Sequence, residues 1–265
     1  MPISFHGCAF GHRRGSHVFT RLDLDVPAGR TALIGPNGCG KSTLLALAAS
    51  ALRPRRGRVS YQGLDPFRRG NLARYRALVG WMPQGVRPLP GLTAREQVGY
   101  AGWLKGMSRG NAWRRSLEAL ETVELGALAD TRCAELSGGQ LRRVGLAQTL
   151  VHDAEVVLLD EPTAGLDPEQ RERFRRIVAR IGERGHLIVS THDTAELART
   201  YDSVVVLDRD RVRYAGPVAG LDSVAGLDSV TGLDSVTGLG STTGLGAGPG
   251  AVAWPGAAAG IAGEV

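Results

Sequence analysis

Lysine is almost missing from this chain. Of 32 basic residues only Lys41 and Lys105 are lysines, and the rest are arginines. A bias that complete reflects codon usage, so no single arginine is diagnostic by its type alone. Cysteine is also scarce. Cys8, Cys39 and Cys133 are too few and too scattered for a disulfide framework or a zinc site, which points to a reducing compartment. No run of about 18 uncharged apolar residues occurs, and the N-terminus lacks a basic segment followed by an apolar one. Neither a membrane-spanning helix nor a secretion signal is therefore expected. Basic residues vanish altogether after 216, where four acids (Asp222, Asp228, Asp234, Glu264) stand alone.

What is present divides the chain in two. The overall charge of +6 conceals +10 on residues 1–216, a basic region that suits nucleic acid, an anionic membrane surface or a polyphosphate ligand. With 265 residues and 43% hydrophobic content, a globular α/β domain is well within reach. From Ala219 the unit Ala-Gly-Leu-Asp-Ser-Val recurs with a six-residue period, and the repeat decays by Gly248. Such Gly-rich units bury too little to offset chain entropy, so the expected organisation is a folded domain over 1–216 and a disordered tail over 217–265. A short β-stack and a partner-binding tail are the alternatives.

Within the first region, 3–10, 17–26 and 30–34 read as strands, with a turn at Pro27-Ala28-Gly29. A helix is expected from near Lys41, because the residues from Ser42 to Ala49 contain no breaker and are nearly all apolar. Between about 85 and 152 the pattern turns helical, with helices over 93–104, 111–125 and 138–151. Strand character returns over 155–160, 186–190 and 203–207, separated by helices over 168–181 and 193–200. Continuous apolar runs between helices favour a mostly parallel sheet covered on both faces.

Five segments carry chemistry. Gly35-Pro36-Asn37-Gly38-Cys39-Gly40-Lys41-Ser42 fits G-x-x-x-x-G-K-[ST] between a strand and a helix, where the backbone N–H groups can curl around a phosphate. Lys41 adds a positive charge and Ser42 a hydroxyl for Mg²⁺. Cys39 reads as a small filler or, alternatively, as a redox sensor. The strand 156–160 ends in Asp160-Glu161, one carboxylate for Mg²⁺ and one to polarise the attacking water, although acids after a strand also serve as helix caps. His192 follows a strand and either contacts a γ-phosphate or is structural. Gln84 ends a strand-like segment and either ligates Mg²⁺ or the attacking water, or is a surface glutamine. Lastly, Ser137-Gly138-Gly139-Gln140 opens a helix whose free N–H groups form an anion site, with Ser137 as its cap. One loop already cradles this chain's phosphates, so the second anion site implies the nucleotide of a second molecule.

In these motifs and their order, residues 3–216 resemble the nucleotide-binding subunit of ATP-binding cassette transporters. The resemblance implies a P-loop α/β fold with a mostly parallel central sheet, an N-terminal antiparallel β subdomain and a helical insertion. It implies ATP and Mg²⁺ as ligands and places the phosphate loop on Gly35, Asn37, Gly38, Cys39, Gly40, Lys41, Ser42 and Thr43. The family's glutamine loop falls on Gln84, its signature on Leu136 to Gln140, and its catalytic glutamate on Glu161. Its D-loop falls on Ala164-Gly165-Leu166-Asp167 and its switch histidine on His192. In that family two domains dimerise head to tail around ATP, dock on an integral membrane subunit, and work at the cytoplasmic face of the membrane. The aromatic that stacks on adenine is replaced by His12, with Phe10 as the other ring available. The stretches Leu92-Thr93-Ala94-Arg95-Glu96-Gln97, Tyr100 to Gly106 and Ser190-Thr191-His192-Asp193 look most like the ABC-2 type drug and bacteriocin export branch. The rival is a cassette ATPase acting on nucleic acid or ribosomes. A nucleic-acid partner is not expected, because such proteins carry two cassettes or a long coiled-coil insertion. A third reading, an ATP-binding switch without hydrolysis, requires a lost base, and Glu161 is present.

Overall fold

Each strand of the first sheet shows why it forms. In β1 (Ser4–Phe10) Phe5, Cys8 and Phe10 point inward, and in β2 (Phe19–Asp25) Phe19, Leu22 and Leu24 do the same. This is the half-buried alternation of an antiparallel pair. β2 lies antiparallel to β1 on one side, and β4 (Arg56–Ser60) on the other. The computed structural model describes residues 3–12, 17–183, 185–192, 194 and 197–223. All of them belong to one compact unit, and the expectation of a disordered tail falls mainly outside the described residues.

A second sheet of six strands has the order β5-β6-β7-β3-β8-β9, where β3 is Arg30–Ile34, β5 Val79–Met82, β6 Val156–Asp160, β7 His186–Ser190, β8 Ser203–Asp208 and β9 Arg211–Pro217. The first five run parallel, and β9 returns antiparallel along β8. All five residues of β6 are buried, as a strand covered on both faces requires. The helix α1 (Lys41–Ala48) buries seven of its eight residues. It lies in one apolar core shared by both sheets, with Leu44, Leu45 and Leu47 against Phe5, Phe19, Leu158 and Ile188.

The opposite face is covered by the helical insertion, α3 (Ala94–Leu104), α4 (Arg109–Thr122) and α5 (Gly138–Leu150), together with α6 (Pro168–Gly182). Their starts are written in the sequence. Thr93 and Glu96 form a reciprocal capping box on α3, Ser137 and Gln140 another on α5, Ser108 caps α4, and Asp167 with Pro168 behind it caps α6. Each cap contributes about 1 kcal/mol. A short helix α2 (Leu72–Leu78) precedes β5, and α7 (Leu197–Thr200) precedes β8. Past residue 216 the chain completes β9 and makes a 3-10 turn over Val218–Ser223, with Leu221 packed beside Ile34 and Val206. Among the described residues no helix is long and apolar enough to cross a membrane.

Candidate nucleotide site

The strand order gathers the motif residues. Because β7 lies between β6 and β3, and β5 flanks β6, the C-terminal ends of four parallel strands converge on one edge. This is where open α/β sheets bind ligands. The loop after β3 is shaped by glycine. Gly35 has φ 148°, and a Cβ there would lie 2.2 Å from the Leu207 carbonyl oxygen on β8. Gly40 has φ 106°, and its Cβ would lie 2.8 Å from the Phe19 ring. Around Gly38, φ 79°, the space is open. Asn37 is exposed on the loop, and Cys39 turns inward to join the core. Burial pushes the Cys39 thiol up, against thiolate chemistry.

At the start of α1 the side chains take three directions. Lys41 is buried, and its ammonium donates to the carbonyls of Gly35 at 2.7 Å and Pro36 at 3.1 Å. Ser42 Oγ donates to Asp160 Oδ1 at 3.1 Å. Thr43 Oγ1 lies 3.4 Å from His12 Nε2. Phe10 and His12 meet edge to face at 5.2 Å, with Phe10 in the core and His12 exposed.

The acids are joined by a residue that the motifs do not name. Asp160, at 3% exposure, pairs in register with Ser190 on β7. Ser190 Oγ donates to Asp160 Oδ1 at 2.7 Å and accepts the Glu161 N–H at 2.8 Å, so one hydroxyl is fixed by both. Glu161 stands at φ 43°, a left-handed conformation that costs a residue with a Cβ about 1–3 kcal/mol. Its carboxylate accepts from Gln84 Nε2 at 3.0 Å. Ser42, Asp160, Ser190, Glu161 and Gln84 thus form one hydrogen-bonded chain across three strands. His192 lies exposed two residues past β7, and Asp193 beside it is outside the described residues.

The second anion element stands apart. Ser137 Oγ accepts the Gln140 N–H and Gln140 Oε1 accepts the Ser137 N–H, so both side chains serve the helix start. Ser137 and Gly138 are exposed, and Gly139 faces Gln170 of α6, whose Oε1 is 2.8 Å from where a Cβ would stand. Asp167 is occupied as the cap of α6, accepting the Gln170 N–H at 2.9 Å. None of the hydrogen bonds described for the signature reaches the loop of residues 35–42. Arg142, one turn into α5, donates to the backbone carbonyls of Gln84 and, at 3.0 Å, Ala164. The sequence offers Ser190 only within the stretch Ser190-Thr191-His192-Asp193, with no sign of its link to Asp160 and Glu161, and Arg142 is marked by neither motif nor spacing.

These residues fit a nucleotide with a hard cation. A cradle that side chains at Gly35 and Gly40 would fill leaves backbone for phosphate oxygens. One carboxylate and one hydroxyl, Asp160 and Ser42, are the donors that Mg²⁺ takes when phosphates and water complete its shell. Among the described residues no group of three or more His, Cys, Asp or Glu makes an all-protein metal cage.

The sequence and the fold are similar to those of known proteins. The ABC transporter family model matches residues 19–164, more than half of the chain. The sulfate/thiosulfate import ATP-binding protein CysA of Thermosynechococcus vestitus is 34% identical over 206 residues, 75% of this chain and 59% of that protein. The Nod factor export ATP-binding protein I of Burkholderia lata is 37% identical over 217 residues, 79% of this chain and 69% of that one. A dimeric ATP-binding cassette in a post-hydrolysis state, bound to ADP and Pi, superposes with a TM-score of 0.72 at 26% identity, covering 82% of this chain and 98% of that one. The chain spans 57–59% of the length of several curated relatives it matches. Importers and exporters stand side by side among these relatives, so the branch is not resolved by them, whereas the phosphate loop, the paired acids, the fold and the matched region all agree: the chain belongs to the ABC transporter family, among its ATP-binding proteins.

Proposed function

We propose that this chain binds and hydrolyses ATP between two copies of itself, or between itself and a paired cassette, to power export through a separate integral membrane subunit at the cytoplasmic face. The observation that carries this reading is the hydrogen-bonded chain from Ser42 through Asp160, Ser190 and Glu161 to Gln84. Lys41 exchanges its loop carbonyls for the β- and γ-phosphate oxygens, and the N–H groups around Asn37, Gly38 and Gly40 surround the β-phosphate. His12, the exposed ring beside Thr43, stacks on adenine. Ser42 and Asp160 would hold Mg²⁺, which would supply neutralisation of phosphate charge, with Gln84 as a further candidate ligand. The exposed N-terminus of α5, from Ser137 to Gln140, grips the γ-phosphate of the partner copy's ATP, and Asp167 lies at the start of the neighbouring helix.

Hydrolysis then needs one proton acceptor. Water attacks the γ-phosphorus, the bond to the β-phosphate oxygen breaks, and the water's proton goes to Glu161, with His192 donating to the γ-phosphate. Losing that phosphate removes what Lys41 of one copy and the signature of the other both hold, and the copies part. A groove of about 420 Å³ beside Gln84, lined by Trp81, Met82, Tyr100, Leu104 and Gln148, supports docking of the membrane subunit. The export direction rests on the Leu92-to-Gln97 and Ser190-to-Asp193 stretches and on the likeness to the Nod factor export protein. The test is Glu161→Gln: ATP binding is kept while turnover falls about 10²–10⁴-fold, as loss of general-base help predicts. Wild-type turnover by this variant would remove Glu161 from the mechanism.

A further inference from the structure

We propose that Arg142 is a positioning residue for hydrolysis: its guanidinium locks the Gln84 loop and the Ala164 loop to α5, so that the helix beginning at Ser137 sets the place of its own chain's Glu161. The inference rests on the ATPase reading above. Arg142 Nη1 donates to the Gln84 carbonyl and Nη2 to the Ala164 carbonyl, at 3.0 Å for the latter. Both partners in turn hold Glu161. The Gln84 side-chain amide donates to its carboxylate at 3.0 Å, and the Ala164 N–H donates to its carbonyl at 3.1 Å. Glu161 is therefore gripped from two sides by residues that share one arginine.

The local setting favours this over a solvated surface arginine. Arg142 lines a cavity of about 260 Å³ between Gln84, Gly138 and Gly165, where burial pulls the guanidinium pKa down and the Glu161 charge opposes that shift. A planar fork reaches two carbonyls on different loops through two nitrogens held at fixed separation, whereas lysine has to bring both carbonyls within reach of a single nitrogen. The left-handed backbone of Glu161 supplies a reason for the brace, since a strained residue persists only where its surroundings over-determine it. α5 carries the signature toward the partner copy's ATP, so movement of that helix on binding reaches Glu161 through Arg142, beside the packing of Gly145 on Val86.

The measurement is steady-state ATP turnover and nucleotide affinity of the full chain carrying Arg142→Met, which keeps the apolar stem and removes every donor. Misplacement of a catalytic group by about an ångström costs on the order of 10²-fold, so kcat is expected to fall about 10–100-fold while KM and the affinity for a fluorescent ATP analogue hold within about 2-fold. In a Gln84→Ala background, where the grip on the carboxylate is already gone, the same change should cost no more than about 3-fold. Arg142→Lys, which keeps charge and volume, carries the same test if the Met variant fails to fold. Unchanged kcat, KM rising in parallel with the loss, or full additivity with Gln84→Ala would each overturn the proposal. A wild-type chain that does not hydrolyse ATP would instead overturn the ATPase reading, so the two failures are distinguishable.

Discussion

The loop after β3 and the foot of the helical insertion each hold one of the chain's two lysines, and both ammonium groups donate to a pair of backbone carbonyls. Lys41 takes those of Gly35 and Pro36, and Lys105, the C-terminal cap of α3, takes those of Arg76 and Val79 at 2.8 Å each. The difference lies in whose carbonyls they are. Those of Lys41 belong to its own glycine-shaped loop, beside open space at Gly38, and the proposed function has Lys41 give them up for phosphate. Those of Lys105 belong to the end of α2 and the start of β5, segments it ties to the helical insertion. Burial there pulls its pKa from the ordinary lysine range down to about 8, and it pushes the neighbouring His152, flanked by the Lys105 charge, down to about 3. The same residue with the same contacts is a placeholder in one region and a rivet in the other.

Lys41→Ala tests the placeholder and carries the larger effect. Removing one partner of a close charge pair costs 2–5 kcal/mol, so nucleotide affinity should weaken by about 30-fold or more with the melting temperature little changed, as read by titration with a fluorescent ATP analogue. Affinity equal to wild type would end the contrast.

Acid titration tests the other region. His152 stays neutral in the fold, with its pKa lowered to about 3, whereas the unfolded chain takes up that proton near 6.5. Its contribution is complete above pH 6.5 and is lost as pH falls toward 3, by at most about 1.4 kcal/mol per pH unit. The urea-denaturation difference between wild type and His152→Leu should carry that slope. A difference independent of pH would show that His152 is not held neutral.

The smallest effect is alkaline. The folded pKa of Lys105, about 8, lies below the unfolded value of 10.5, so the folded chain releases this proton first and stability rises between pH 8 and 10.5. Lys105→Met should abolish that rise over the window, measured by denaturant midpoints. A rise that survives the substitution would assign it elsewhere.

The contrast also marks what the sequence makes legible. β6, β7 and β8 are continuous apolar runs, and α3, α5 and α6 announce themselves by caps, because each must bury a full face and satisfy its first N–H groups. β4, α2 and β9 leave no such trace: Val59 is the one buried residue of β4 and Tyr75 that of α2, while β9 has none. β4 and β9 form by pairing at the edges of their sheets, and α2, with 7 residues, is too short to show a helical period. The phosphate loop and the acids were readable because a ligand restricts residue type at fixed spacing. Ser190 was not readable, since its value comes from standing opposite Asp160, a register set by the whole sheet. Arg142 was hidden for a related reason: its partners are carbonyl oxygens, which every residue has.

Glu161 narrows the sequences this fold can accept. Its backbone at φ 43° admits glycine freely and asparagine or aspartate with ease, yet it resists valine, isoleucine and threonine on steric grounds. On the mechanism proposed above, position 161 is filtered twice, once by the need for a carboxylate and once by the handedness of the chain. Drift away from hydrolysis would have to pass first through the small set of residues that the backbone tolerates.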